Sequence, residues 1–567
     1  MQEVRRSRPA WWLLGVPLGA LPVPAAAAEL LLADNSQVLQ TWQEATGAAQ
    51  PPEIGKNADG ETVVTFQGGV LWDKYVNDVS EPSGLPGNTT MTPSRSGSFY
   101  KLQAQGDLRG TSPEGDITYA QVAMTSSDDR AAQGSPLLVN TFQFGRVGPG
   151  YQLAFGDVSP NFSSLGTSTS LRGALLQRQF SDHVVGALTV GTLAESWAAL
   201  SNKIYRTQLL RDAYGAKLDY QMGESGGLYL TTQGYSDRDG SLPNGVSAML
   251  PASSHAHTLG FNYLRDNLSV QGEFGASRWQ EEGRQAYSDN ATILDATWGL
   301  SDFGLRAGYH KLGAYYTSLA AAGGAGIEET YVGGDWRAAD WASFNADLRR
   351  SRNDAAAGST NGQRTDSLTT GANINFGDRL PGLGLSLQYA TSNASLDVGG
   401  HTKNDNYGGT LYYAGGAWNG GLGYGYSKMR NDASADSNGH TSSWSVNLGR
   451  SFAGEAGSWS AGSQFAASVG KQELDSGKSS RDRTLVFSVY GQSTDWGSLT
   501  ASVIDGLMTE TTGGADLRTR SYQFDASHPF GKKNTVKAYW RSTSSFSGDP
   551  GLGYRERTVG LQVILMI

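Results

Sequence analysis

The chain has 567 residues, a formal net charge of −9 at pH 7 and no cysteine. Its acidic balance argues against nucleic acid as a partner, because binding phosphates requires a basic face. The lack of cysteine excludes disulfides, thiolate metal sites, iron–sulfur ligation and covalent c-type haem attachment, and we expect no cofactor.

Residues 1–28 have the layout of a secretory signal peptide. Three arginines precede a short apolar core at 10–21, and three alanines at 26–28 offer a cleavage site. A membrane anchor is the alternative reading, but prolines interrupt the short apolar run. Residues 29–60 follow as a periplasmic arm or a small plug, because loosely spaced leucines favour a short helix that ends at two prolines.

Residues 100–109 show the pattern that governs the rest of the chain. Leu102 and Leu108 lie on one face, and Lys101 and Arg109 alternate with them on the other, so the segment is a β-strand with an apolar and a polar face. The same alternation returns at 268–276, 367–376 and 535–541. Glycine, with 75 residues, has about double its usual share. This composition fits a β-solenoid, a disordered polymer or a membrane barrel. The period of two residues predicts that the chain forms β-strands.

About 26 such runs, with a plausible range of 22–28, lie between Thr62 and Ile567. Each is about 9–13 residues long, the length that a tilted strand needs to cross a bilayer. The gaps between runs alternate between short and long, as in the short gap at 148–150 and the long gap at 237–254. A soluble β-sandwich has no reason to sort its loops in this way. Residues 61–567 are therefore predicted to form a large transmembrane antiparallel β-barrel in the outer membrane, with short periplasmic turns and long outer loops.

The last strand adds a second signal. It resembles the C-terminal signature by which outer-membrane barrels are recognised for assembly, which is a polar residue, a glycine and spaced hydrophobic residues. The departure is an isoleucine where phenylalanine is usual, and a plain apolar closing strand is the alternative. The resemblance implies outer-membrane lipid and the barrel-assembly machinery as partners. The residues that carry it are Thr558, Gly560, Val563, Leu565 and Ile567.

A local stretch around residues 155–174 is unusual. Asp157 follows a glycine, Phe162 lies in the next loop, and Arg172 precedes a second glycine. This stretch resembles the Gly-Asp … Phe … Arg-Gly segment of fimbrial usher barrels and some other export channels. The likeness spans about 20 residues, and the cysteines usual in ushers are absent here. The resemblance implies a link to export. In a pair of outer-membrane strands, we expect Asp157 and Arg172 to face the lumen and pair across the loop, with Arg178 on the same face as Arg172.

No catalytic residue is expected. Ser225 sits in a formal G-x-S-x-G motif, but the motif lies between two strands, whereas the nucleophile elbow needs a strand followed by a helix. His255 and His257 have a spacing compatible with a metal, but a loop-edge pair is the preferred reading because no further ligand lies near in sequence. We expect no metal site. Two oxygen-rich loops could hold calcium, although ordinary turn chemistry is the preferred explanation of the same residues. Their acidic residues are Asp237, Asp239, Asp432 and Asp436.

The predicted lumen is wide and polar, because 16–18 strands already enclose an aqueous channel. Something must fill so wide a lumen: inward-folded loops, with 77–97 and 237–254 as candidates, a periplasmic or lumen-filling partner, or the transported polymer. The leading hypothesis is a channel that exports a large polymer, either polysaccharide or fibrous protein. A general diffusion or uptake porin and a structural sheath around a partner complex are the alternatives. The residues expected to line the lumen are Lys101, Arg109, Asp157, Arg172, Arg178, Glu273, Asp347, Lys537 and Arg541.

Overall fold

The chain forms one closed antiparallel sheet of 26 strands, in which each strand pairs with its neighbours in sequence and β1 pairs with β26. The expected strand number and architecture are confirmed. The computed structural model describes residues 63–80, 95–130, 133, 135–223, 225–242, 250–319, 326–353, 362–397, 399–432, 437–454, 458–510, 516–531, 533–547 and 553–567. The expected signal peptide at 1–28 and the arm or plug at 29–60 lie outside these residues.

The first thirteen strands are β1 (Val63–Ser80), β2 (Gly97–Thr111), β3 (Ile117–Ser127), β4 (Leu137–Gly148), β5 (Tyr151–Val158), β6 (Leu171–Ser181), β7 (Val184–Leu193), β8 (Arg211–Gln221), β9 (Gly226–Asp237), β10 (Ala252–Arg265), β11 (Leu268–Glu281), β12 (Tyr287–Gly299) and β13 (Phe303–Leu312).

The second thirteen are β14 (Ile327–Ala339), β15 (Ala342–Asn353), β16 (Gln363–Asn375), β17 (Leu383–Leu396), β18 (His401–Gly415), β19 (Trp418–Asn431), β20 (Gly439–Ala453), β21 (Trp459–Leu474), β22 (Ser479–Ser493), β23 (Gly497–Glu510), β24 (Leu517–Phe530), β25 (Asn534–Ser547) and β26 (Tyr554–Met566). One α-helix, α1 (Trp197–Ser201), and two 3-10 turns, at Lys203–Tyr205 and Gly377–Arg379, complete the described elements. None of the helices in the described part of the chain is long and apolar enough to span a membrane.

The strands run from 8 residues in β5 to 18 in β1, which widens the expected range of 9–13. A tilted strand needs only about 9–11 residues to cross the hydrocarbon layer. The additional residues extend the barrel wall beyond the membrane. Connections after odd-numbered strands contain 4–17 residues, and those after even-numbered strands contain 2–7. Short turns mark the periplasmic end of such barrels, so the longer connections lie outside the cell.

The barrel closes through polar contacts on the inner side of β1, β25 and β26. Asp73 accepts hydrogen bonds from the Tyr539 hydroxyl at 3.1 Å and from the Gln562 side-chain amide at 3.2 Å. Gly560 lies beneath the Tyr539 ring, where a β-carbon would come within 2.2 Å of the ring. Thr558 donates to Asn77 at 2.9 Å across the same junction. The polar residue and the glycine of the C-terminal motif therefore both have a structural role where the barrel closes.

Candidate functional site: the barrel wall and an inward-folded segment

The two faces of the sheet can be told apart across β8–β11. Leu218, Leu230, Leu259 and Phe274 are cross-strand neighbours in one row, and all four are among the exposed large hydrophobic residues. A continuous row of exposed apolar side chains is the lipid-facing surface of a membrane barrel. The residues that alternate with them, such as Glu273, face the lumen.

Six of the residues expected in the lumen alternate with exposed apolar neighbours and share the inner face. Several are held by inner-face acids: Arg109 by Asp107 at 2.9 Å and Lys537 by Asp525 at 2.9 Å. The lumen wall therefore carries paired charges of both signs. The six residues are Lys101, Arg109, Glu273, Asp347, Lys537 and Arg541.

The other three residues lie on the outer face, which corrects the expectation for them. Asp157 and Arg172 are cross-strand partners with an Oδ1–Nε distance of 3.6 Å, so the pair itself forms. Between Arg172 and Arg178, Leu176 is 44% exposed on the lipid side of β6, whereas Leu171 and Leu175 belong to a buried cluster inside the barrel. The inner face of β6 is apolar because another part of the chain covers it and keeps water away. Polar side chains therefore do not mark the lumen side of this strand, as they do elsewhere in the barrel.

The cover is the connection between β5 and β6, which folds into the lumen. We call Ser159–Ser170 the inner segment. Its Phe162 packs with the buried residues of β5–β9, including Leu171 and Tyr235. Leu165, only 1% exposed, packs against Ala291 of β12 and Tyr316 of the connection between β13 and β14. The segment therefore rests on the inner wall of one side of the barrel.

Hydrogen bonds from two wall strands and from the connection between β13 and β14 fix the backbone of Leu165. The Leu165 amide donates to Glu273 Oε2 at 3.1 Å. The Leu165 carbonyl accepts from the Tyr316 hydroxyl at 3.0 Å and from Gln233 Nε2 at 3.3 Å. Thr167 donates to Gln233 Oε1 at 2.6 Å, so Gln233 holds the segment at two points. These bonds satisfy backbone groups that would otherwise be buried without partners.

Glu273 lies at the centre of this contact and is 2% exposed. Its Oε2 also accepts from the Tyr229 hydroxyl at 3.1 Å, while Oε1 has no hydrogen-bond partner among the described residues. Burial, together with the Glu273 carboxylate, raises the pKa of the Tyr316 phenol above its usual value. Tyr316 therefore stays protonated at neutral pH and donates to the segment.

The inward path of the segment leaves a notch in the wall. β4 pairs with β5 only between Gln143 and Gly148, so the outer part of β4 has no partner on that side. Helix α1 lies beside it: Trp197 contacts Phe142 edge-on with ring centroids 5.6 Å apart. Asp157 accepts from the Trp197 indole N–H at 2.9 Å and from the Phe142 amide at 2.7 Å. Asp157 thus caps the free edge of β4 and anchors α1.

Sequence reasoning did not identify Gln233, Tyr316 or Trp197. Gln233 and Tyr316 carry no local motif, because their role depends on a segment at least 60 residues away in sequence. For α1 a signal was available: Ser196 caps the helix by accepting from the Ala199 amide, and such a serine before an apolar run predicts a helix start.

The remaining motifs fall at strand ends. Ser225 lies in the periplasmic turn between β8 and β9, with a strand on each side. His255 lies on the outer face of β10 and contacts the Tyr214 hydroxyl at 2.9 Å. The expected absence of enzymatic activity stays a prediction.

The calcium alternatives gain no support. Asp237 is already held by Arg211 at 2.7 Å and by the Ala252 amide at 3.1 Å. Asp239 follows β9 in a turn, Asp432 follows β19, and Asp436 lies outside the described residues. No group of three or more metal-binding side chains occurs in the described part of the chain.

A closed barrel with an apolar outer face, a polar inner face and connections sorted by length is an outer-membrane β-barrel channel. With strands about 4.8 Å apart and tilted by about 40°, a ring of 26 has a backbone diameter of about 50 Å. The outer membrane is accordingly the location of this protein.

Comparisons with known proteins return solved structures of low sequence identity. No family model matches the chain, and no curated protein matches it. A chain of the E. coli P pilus tip assembly intermediate PapC-PapD-PapK-PapG is similar at 13% identity and a TM-score of 0.46, covering 87% of this chain and 60% of that one. The P pilus usher (PapC) translocation pore is similar at 13% identity, a TM-score of 0.37 and coverages of 88% and 100%. OccD1 (OprD) follows at 11% identity, a TM-score of 0.32 and coverages of 65% and 96%. The chain thus spans 60% of the first of these structures.

Proposed function

We propose that this outer-membrane channel exports a large polymer, either a polysaccharide or a fibrous protein, and that the inner segment moves during export. The observation that carries the proposal is the combination of a barrel about 50 Å in backbone diameter with a segment folded into its lumen. A small-solute pore has no need of so wide a ring. A wall with paired charges and many hydroxyl and amide groups suits a hydrated chain that must slide without sticking.

The energetics favour a channel that rests with the segment in place. Moving the segment away would expose Phe162 and Leu165, at a cost of about 1.5–3 kcal/mol for each side chain. The buried hydrogen bonds of Leu165 add to this cost. A resting population with the segment released would therefore be small, and release would need a periplasmic partner or the polymer itself.

The alternative is a general diffusion or uptake porin with a permanent constriction. The same burial favours it, because a segment that is fully packed can equally serve as a fixed part of the wall. The two functions differ in whether transport requires the segment to move.

A reversible tether tests this difference. A β-carbon built on Gly215 of β8 lies 2.8 Å from Thr167 Oγ1, close to the spacing in a disulfide between Cβ and the opposite sulfur. The double variant Thr167→Cys with Gly215→Cys should therefore form a bond that fixes the segment to the wall. Because the natural chain has no cysteine, no other disulfide competes.

We expect single-channel recordings of the reduced double variant to show rare, large openings, and oxidation to abolish them. Each single cysteine variant serves as the control and should not respond to oxidation. A steady conductance that is identical in the oxidised and reduced double variant would contradict export by segment movement and favour the porin.

A further inference from the structure

The outer face of β22–β26 carries a dense group of arginines near the ends that adjoin the longer connections. They share the outward face with Phe487, Tyr522 and Trp540, according to strand alternation and cross-strand register. We call this group the outer arginine patch. It consists of Arg481, Arg483, Arg518, Arg520, Arg555 and Arg557.

Three of these arginines converge on one carboxylate. Asp505 accepts from Arg518 Nε at 3.0 Å and from Arg520 Nε at 2.9 Å. Arg483 lies at 3.8 Å from the same carboxylate. All three guanidinium groups remain partly exposed, with side-chain exposures of 39–47%. One carboxylate cannot neutralise three guanidinium groups, so the cluster keeps an excess of positive charge.

The excess extends over the whole patch. Within the described residues of β22–β26, Asp505 is the single acidic side chain at an outward position, against six arginines. On the adjoining β1, the exposed Asp78 lies opposite Arg557, so two acidic side chains face six arginines and the excess of positive charge remains. Nearby acidic residues, such as Asp482 and Asp525, face the lumen, because their positions alternate with the outward-facing ones along the strands. Inward arginines and lysines with acidic partners include Arg109 with Asp107 and Lys537 with Asp525.

The position of the patch relative to the membrane follows from β24. Along its outward positions, Arg518 and Arg520 are followed by Tyr522 and Phe524, and then by Ala526, His528 and Phe530 toward the periplasmic turn. Aromatic residues mark the border of the hydrocarbon layer in such barrels. The arginines lie just beyond this border, on the extracellular side, at the level of the outer-leaflet headgroups.

We propose that the outer arginine patch binds the phosphate groups of the phosphorylated glycolipid that forms the outer leaflet. Guanidinium groups suit this ligand because their planar donors bind phosphate in a bidentate manner and they are more weakly hydrated than ammonium groups. Asp505 orients two of the donors and leaves their remaining N–H groups available. The bound lipid supplies the negative charge that the outer face of these strands lacks, and this binding is independent of what passes through the lumen.

The test measures binding of diphosphoryl lipid A to the full-length barrel in detergent by native mass spectrometry. The double variant Arg518→Gln with Arg520→Gln should bind roughly thirtyfold more weakly, since each basic side chain near a charged surface contributes about one factor of five. The matched control, Arg178→Gln with Arg450→Gln, removes the same charge from the outer face at the periplasmic end of β6 and β20. It should bind within twofold of the natural protein.

A second pair, Arg555→Gln with Arg557→Gln, leaves the Asp505 ion pairs intact and should also weaken binding, which separates loss of lipid contacts from loss of folding. Lipid A without phosphates should bind poorly, and inorganic phosphate alone should not reproduce the binding. The proposal is overturned if the patch variants bind like the natural protein, if the periplasmic-end control loses as much, or if phosphate removal has no effect.

Discussion

Glu273 shows how one residue can hold a segment of chain in place. Its carboxylate accepts from the Leu165 amide and from the Tyr229 hydroxyl on the same oxygen, and the side chain is 2% exposed. Loss of the acceptor would leave the Leu165 amide buried without a partner. A buried unsatisfied donor costs about 1–3 kcal/mol, which is enough to loosen a local contact without unfolding a barrel.

We therefore expect Glu273→Ala to speed hydrogen exchange at the Leu165 amide by about tenfold or more. Glu273→Gln keeps an oxygen acceptor and should exchange nearly as slowly as the natural protein. Asp347→Ala removes another inner-face carboxylate, one held by Arg306 and remote from the segment in sequence, and should have no effect at Leu165. Equal exchange in Glu273→Ala and the natural protein would show that Glu273 does not hold the segment.

At the scale of elements, the inner segment and α1 form one arrangement on opposite sides of the wall. The chain leaves β5 after eight residues and turns inward, which leaves the outer part of β4 unpaired. A free strand edge is a liability that proteins cover. Here α1 covers it through Trp197, with Asp157 bonded to both the helix and the strand.

The variant Trp197→Ala should loosen the connection between β7 and β8. Trypsin added outside intact cells should then cleave after Lys203 or Arg206 about fivefold faster, because local opening requires less free energy. Trp341→Ala makes the same substitution at an exposed tryptophan in the periplasmic turn between β14 and β15, and it should leave cleavage unchanged. A rate unaffected by Trp197→Ala would argue that α1 is not the cover of β4.

The strands were predictable because each one alternates by itself, so a reader of the sequence needs no distant information. The position of Arg172 on the outer face could not be predicted in this way. Its face was misassigned because β6 turns Leu171 and Leu175 toward the lumen, where the inner segment covers them. Polarity identifies the water-facing side only where water is present. The inner segment, which directly precedes β6, changes that condition, and the alternation within β6 does not show that the segment folds back over it.

At the scale of the whole molecule, the number of strands follows from the sequence, since turns and alternating runs can be counted. The part of the chain that folds into the lumen cannot be read from the sequence in the same way. Loops 77–97 and 237–254 are the longer gaps and were the natural candidates, but their central residues lie outside the described residues. Among the described residues, the shorter Ser159–Ser170 folds inward and packs with Tyr316 and Leu319 of the connection between β13 and β14. Its two large apolar residues, Phe162 and Leu165, predict that the segment is buried. They do not predict which surface of the barrel buries it.

The most direct test of a wide export channel is the efflux of size-graded fluorescent dextrans from liposomes that contain the purified barrel. The natural protein should retain dextrans, while a variant that replaces residues 160–168 by a short glycine-serine linker should release dextrans up to about 30 Å in diameter, given a backbone ring of about 50 Å. An empty-liposome control sets the background leak. Release limited to small solutes in both proteins would contradict polymer export and identify a diffusion porin.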